Sequence, residues 1–128
     1  ITGDQSYEEI ASKLTRAFSQ TVEQAPSAYT QLLSSLDFAI GPSYEVVVVG
    51  DPDSSDTKEM LTRLTKTYTP NKVLLFKKID EESGIEAIAD FTKGQSSIGG
   101  KATAYVCLNH ICELPTTDLN KTLELLSR

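Results

Sequence analysis

The stretch Glu45 to Gly50, Glu-Val-Val-Val-Val-Gly, constrains this chain more than any other. Four β-branched residues in a row, stopped by Gly50, Asp51 and Pro52, read as a short strand that is apolar on both faces. Such a strand needs cover on both sides, which makes it a central strand of an α/β sheet.

The rest of the chain is long enough to supply that cover. Its 128 residues amount to one domain, enough to bury roughly two-thirds of the unfolded surface in a single core. It opens at Ile1 without an initiator methionine or a signal segment, and no apolar run approaches the ~20 residues of a membrane span. A portion of a longer protein that does not enter a membrane is therefore expected. The net charge is -6 and the twelve Lys and Arg are scattered, so no basic stripe exists for nucleic acid or an anionic membrane. Two cysteines are too few for a secreted disulfide scaffold, and a cytoplasmic setting is expected.

Taken in order, Ser6-Tyr7-Glu8-Glu9 reads as a capping box opening a helix that runs to about Val22. Its apolar positions Tyr7, Ile10, Ala11, Leu14, Phe18 and Val22 fall on one stripe, as in a helix lying on a core. Pro26 suits the first turn of a second helix, with Tyr29, Leu32, Leu33, Leu36 and Ile40 inward and Gly41-Pro42 as its stop. After the central strand and a polar loop, a capping pattern at Asp56 starts a helix to about Tyr68. Pro70-Asn71 then turns the chain into a strand over Lys72 to Lys77, with Val73 to Phe76 buried. Strand, helix and strand in this span make a βαβ unit with parallel strands.

A shorter helix is expected around Glu82 to Lys93, followed by a small-residue loop over Gln95 to Lys101. Thr103 to Leu108 and Ile111 to Leu114 are then strands joined by the two-residue turn Asn109-His110. Thr116 or Thr117 caps a last helix carrying Leu119, Leu123 and Leu126. The order is thus two N-terminal helices (residues 1–42), then β-α-β-α-β-β-α (residues 43–128), which is a thioredoxin-like mixed sheet. A Rossmann-like parallel sheet with a terminal hairpin is the alternative, because periodicity does not give the direction of the third strand. The loop Asp51-Pro52-Asp53-Ser54-Ser55-Asp56 holds no Cys-x-x-Cys, so the shape carries no thioredoxin activity with it.

The tail from Gly100-Lys101-Ala102-Thr103-Ala104-Tyr105-Val106-Cys107 to Cys112-Glu113-Leu114-Pro115-Thr116-Thr117-Asp118 resembles the C-terminal end of the YyaL-type, spermatogenesis-associated thioredoxin-domain family. Gln24 to Tyr29, Leu36 to Pro42, Glu45 to Gly50 and Pro70 to Phe76 add to the likeness. The resemblance implies a long parent with an N-terminal thioredoxin-like domain, then an α-helical toroid similar to N-acylglucosamine epimerases and six-hairpin glycosidases. With no acid, base and nucleophile set in the chain and with apolar stripes on its first two helices, this family context makes an accessory role expected, with the remainder of the parent polypeptide as partner. The opening helices are either the end of that toroid or part of the small domain.

Four sets of residues carry whatever chemistry there is. Asp51, Asp53, Ser54 and Asp56 gather after the central strand, where open α/β sheets place ligands, although Asp, Ser and Pro are also what a turn and helix cap use. Gly99-Gly100-Lys101 is a weak anion pattern, and His110 is the lone histidine, placed at a turn tip without a partner nearby in sequence. Cys107 and Cys112 form a candidate redox pair. Counting outward from Asn109-His110, Leu108 faces Ile111, Cys107 faces Cys112 and Tyr105 faces Leu114, and the cysteine Cα atoms stand ~4.5 Å apart in a non-hydrogen-bonded pair. That is within disulfide reach, but the loop is short and a cytoplasmic pool keeps thiols reduced. A buried dithiol used for packing is expected first, a reversible disulfide next and a metal site last, since zinc needs more ligands. No catalytic set, cofactor or metal is expected.

Overall fold

A computed structural model describes residues 2–79 and 84–127. Helix α1 (Gln5–Gln24) leads through a 3-10 turn (Pro26–Ala28) to α2 (Thr30–Ile40), and the sheet portion follows as β1 (Tyr44–Gly50), α3 (Ser55–Lys66), β2 (Lys72–Lys78), α4 (Gly84–Ile88), a second 3-10 turn (Asp90–Thr92), β3 (Thr103–Leu108), β4 (Ile111–Cys112) and α5 (Leu119–Leu125). Residues 80–83, which fall within the expected approach to and start of the fourth helix, lie outside the described residues.

The sheet order is β2-β1-β3-β4. β1 runs parallel to β2, with Val46 beside Leu74 and Val48 beside Phe76, as a βαβ unit requires. It runs antiparallel to β3, with Val46 beside Val106 and Val48 beside Ala104. That direction settles what periodicity left open: the mixed order is consistent with the thioredoxin-like arrangement, and the parallel Rossmann-like alternative is excluded.

The valines of β1 divide between two layers. Val46 and Val48, with Tyr44, Ala104 and Val106, meet Met60 and Leu64 of α3 and Leu125 and Leu126 at the end of α5. Val47 and Val49 are also buried, on the opposite face. The segment after α4 covers part of that face, where the Tyr105 hydroxyl donates to the Ser96 carbonyl at 2.8 Å and accepts from the Ser96 amide at 3.0 Å. Each fully buried valine contributes ~1.5–3 kcal/mol, which is why this short strand dominates the core. The expectation for β2 needs correcting. Val73, Leu74, Leu75 and Phe76 are only half-buried, because β2 occupies the outer position of the sheet.

Helix starts also differ from expectation: α3 begins at Ser55, so Asp56 already lies in its first turn rather than capping it, and Pro26 opens the 3-10 turn while α2 begins at Thr30. Asp4 caps α1 by accepting from the Ser6 amide at 2.9 Å, so Ser6 already lies inside the helix and the Ser6–Glu9 box is not the cap. Asp118 caps α5 by accepting from the Asn120 and Lys121 amides, while the Thr116 hydroxyl accepts from Asp118. In both places a carboxylate, matched to the partial positive charge of a helix N-terminus, takes the role read for a hydroxyl.

The helices α1 and α2 depart furthest from the sequence reading. Neither contains a buried residue; Tyr29, Leu32, Leu33 and Leu36 are half-buried and Ile40 is exposed. The aromatic rings of Phe18 and Tyr29 meet at a centroid distance of 6.4 Å.

The hairpin turn is as expected. Asn109 and His110 both take positive φ, 49° and 67°, which gives the turn the twist that antiparallel strands need. Leu108 faces Ile111 and Cys107 faces Cys112, but β4 stops there. Continuing the count would put Ala104 opposite Pro115. Proline has no N–H to give, and Ala104 instead exchanges bonds with Thr116, so the strand takes up one extra residue and Leu114 turns out to solvent rather than facing Tyr105. Because His110 must hold a left-handed backbone, His110→Val should cost about 1–2 kcal/mol in a denaturant titration, and His110→Asn much less.

Candidate functional site

On the face of the sheet that carries Val47 and Val49, the register sets Glu45, Cys107 and Cys112 in one row across β1, β3 and β4. The two cysteines are joined as a disulfide, with Cα atoms 3.8 Å apart. This corrects the expectation of a free dithiol. The pair also differs in access, since Cys107 is 4% exposed whereas Cys112, on the two-residue outer strand, is exposed.

The turn brings His110 back over the same row. Its Nδ1 lies 3.0 Å from Oε1 of Glu45, and its backbone amide donates to Oε2 of the same carboxylate at 3.3 Å. Glu45 and His110 are 65 residues apart, so sequence proximity gave no hint of the pair. The signal that finds it is the β1–β3 register, which places Glu45 directly opposite Cys107. Together with Tyr7 at the start of α1 and Phe91 beyond α4, these groups line a cavity of about 360 Å³. Asp4 and Glu8 complete its rim, so the approach to the disulfide is acidic and aromatic. Hydrogen bonds from Ser6 hold the Asp4 carboxyl below its usual range.

The acidic loop is assembled differently. Asp51 accepts from the Asp53 amide at 2.9 Å, and the Ser54 hydroxyl lies within hydrogen-bond distance of the Asp51 carbonyl, at 2.9 Å, and of the Thr57 hydroxyl, at 2.8 Å. Asp53 meets Lys58 through its carbonyl and, at 3.9 Å, its carboxylate. Asp56 accepts from the Thr57 amide and reaches across to the Ala102 amide at 2.8 Å. Hydrogen bonds from Ser54 and then from Ala102 hold its carboxyl below the usual range. These contacts shape the loop, start α3 and tie it to the entry of β3. Among the described residues, no group of three or more His, Cys, Asp and Glu is placed to hold a metal. Gly99 and Gly100 both take positive φ in a turn closed by the Lys101 amide on the Ile98 carbonyl, leading into β3.

One polar centre has no counterpart in the sequence reading. Lys77 of β2 is buried, and its ammonium donates to the carbonyls of Thr92 and Gln95, both at 2.7 Å, and pairs with Glu86 of α4 at 2.7 Å.

No protein-family model matches the chain, and no solved structure does. Among curated proteins it is similar to spermatogenesis-associated protein 20 of Rattus norvegicus and Mus musculus, at 29% identity over 118 residues, and of Homo sapiens, at 30%. Those matches cover 92% of this chain and 15% of each relative, so the chain corresponds to a small part of much longer proteins. Over nearly all of its length the chain is thus similar to one part of spermatogenesis-associated protein 20, a match consistent with a C-terminal region of that family.

Proposed function

We propose that this chain is a non-catalytic accessory domain that docks through α1 and α2 onto the remainder of a longer polypeptide. The observation that carries the reading is the apolar stripe of α1, which is left uncovered: Ile10 is 53% and Leu14 48% exposed, in a helix with no buried residue. A stripe at this spacing is matched to a core, and such surfaces on a folded domain mark interaction sites. The occupant is the rest of the same polypeptide, because relatives similar over 92% of this chain devote only 15% of their length to the match. Within such a parent, the α-helical toroid is the natural cover, since helix ridges pack into helix grooves. No described helix is long and apolar enough to cross a membrane, and the cytoplasmic setting we propose rests on the low cysteine count.

Replacing Ile10 and Leu14 together by Glu tests this. The 128-residue chain should stay within about 0.5 kcal/mol of its original stability, as surface substitutions do, while the longer polypeptide melts at a lower temperature. Equal loss in both would show that the stripe packs within the domain, and no loss in either would show a free surface. A second reading, a redox module built on Cys107 and Cys112, draws on the disulfide between them.

A further inference from the structure

We propose that the Cys107–Cys112 disulfide is a thiol-exchange site entered at Cys112, and that its acidic cavity selects neutral or cationic thiols over anionic ones such as glutathione. The inference rests on the redox reading of the pair. Exchange begins with a thiolate approaching one sulfur along the axis of the S–S bond, so access decides which sulfur is attacked. Cys112 lies exposed on the short outer strand and Cys107 is buried against β1, which leaves Cys112 as the point of entry. The incoming thiolate forms a mixed disulfide with the Cys112 Sγ. The Sγ–Sγ bond breaks with its electron pair on Cys107, which takes a proton from solvent. A second thiolate then attacks the incoming sulfur, releasing Cys112 as a thiol and the reagent as its disulfide. Two thiols are oxidised and one cystine is reduced.

Selectivity follows from what surrounds that entry. Asp4, Glu8 and Glu45 line the cavity with His110 as the one basic side chain among the lining residues, and Tyr7 and Phe91 furnish apolar walls. Among the attacking thiolates, that of glutathione carries the most negative charge and meets the strongest repulsion, that of 2-mercaptoethanol meets less, and that of cysteamine, offset by its own ammonium, meets least.

The experiment follows reduction of the native disulfide by cysteamine, which is cationic, by neutral 2-mercaptoethanol and by glutathione. Each rate is divided by that reagent's rate with a neutral small-molecule disulfide, and mixed disulfides are trapped by acid and mapped by mass spectrometry. At low ionic strength cysteamine should exceed glutathione by about tenfold, with 2-mercaptoethanol between them, and the gap should narrow in 0.5 M salt. Glu8→Gln, on the exposed face of α1, should narrow it to about threefold without altering the fold. Trapped adducts should sit on Cys112 in the unaltered protein. Adducts mainly on Cys107, or equal normalised rates for all three reagents, would overturn the proposed entry and selectivity. A bond that no thiol opens short of unfolding would instead remove the redox reading itself.

Discussion

Lys77→Ala should destabilise the protein by about 3–5 kcal/mol, measured as a shift in the denaturant midpoint, which is the usual cost of removing one partner from a buried ion pair. The side chains of Lys77 and Glu86 are only 9% and 21% exposed, so the carboxylate left behind has little water to turn to. The Thr92 and Gln95 carbonyls lose a charged donor at the same stroke. The loss should be local in a specific way. Amides at Thr92 and Gln95, which bond back to Ala89 and Thr92, should exchange with solvent faster relative to global unfolding, while those of β1 continue to report global stability. Glu86→Gln should cost less, because the ammonium keeps its carbonyl partners. In Lys77→Met, adding Glu86→Gln should recover part of the loss, since the stranded charge goes with it. A loss under 1 kcal/mol for Lys77→Ala would mean that this centre contributes little to the fold.

Gly50→Ala comes next, at about 3 kcal/mol, the upper end of the cost of forcing an extra carbon into a packed interior. A Cβ on Gly50 would stand 3.1 Å from Cγ2 and 3.2 Å from Cβ of Thr57, and closer still to its hydroxyl oxygen. Thr57 cannot swing aside freely. It is fully buried, and its hydroxyl is hydrogen-bonded to that of Ser54, 2.8 Å away at the start of α3. The backbone of β1 and the first turn of α3 are therefore in direct contact, and the turn Asp51–Ser54 is as tight as it is because residue 50 has no side chain. The same substitution in a Thr57→Ala background should cost distinctly less, and the coupling measured in that double-mutant cycle should exceed 0.5 kcal/mol. Additive losses would show that the clash is relieved elsewhere.

The parts of this fold that sequence makes legible are those whose physics is local. Four valines in a row announce a strand with two buried faces, and Asn109-His110 between two apolar runs fixes a hairpin and its register, down to the pairing of Cys107 with Cys112. The direction of β3 was not legible, since side-chain alternation is the same whichever way a strand runs. Lys77 escaped because a lysine at the end of Val-Leu-Leu-Phe resembles a strand ending in water. Only the tertiary fold reveals that three groups from the α4 region converge on its ammonium. The stripe of α1 failed in another way. Periodicity tells which face of a helix is apolar, but not whether its cover lies within the same 128 residues. At the candidate site the sequence placed both cysteines, but their bond, the Glu45 to His110 contact and the aromatic rim depend on segments far apart in the chain.

The outer position of β2 has a consequence for the company this protein keeps with itself. An outermost strand offers half of its backbone donors and acceptors to any other extended chain, and half-buried Val73, Leu74, Leu75 and Phe76 would make an adhesive template for strand addition. Three lysines, at 72, 77 and 78, bracket that template at its two ends. Lys72 is already spoken for, its ammonium turned onto the carbonyls of Leu64 and Thr67, and Lys77 points inward onto Glu86. A foreign strand laid along this border would have to pack beside a Lys77–Glu86 ion pair whose partners are already committed to one another, rather than beside a purely apolar surface. An inward-facing charge of this kind discourages fibril-like growth from a sheet border, and it gives a buried lysine a role in solubility that no single-molecule stability measurement would register.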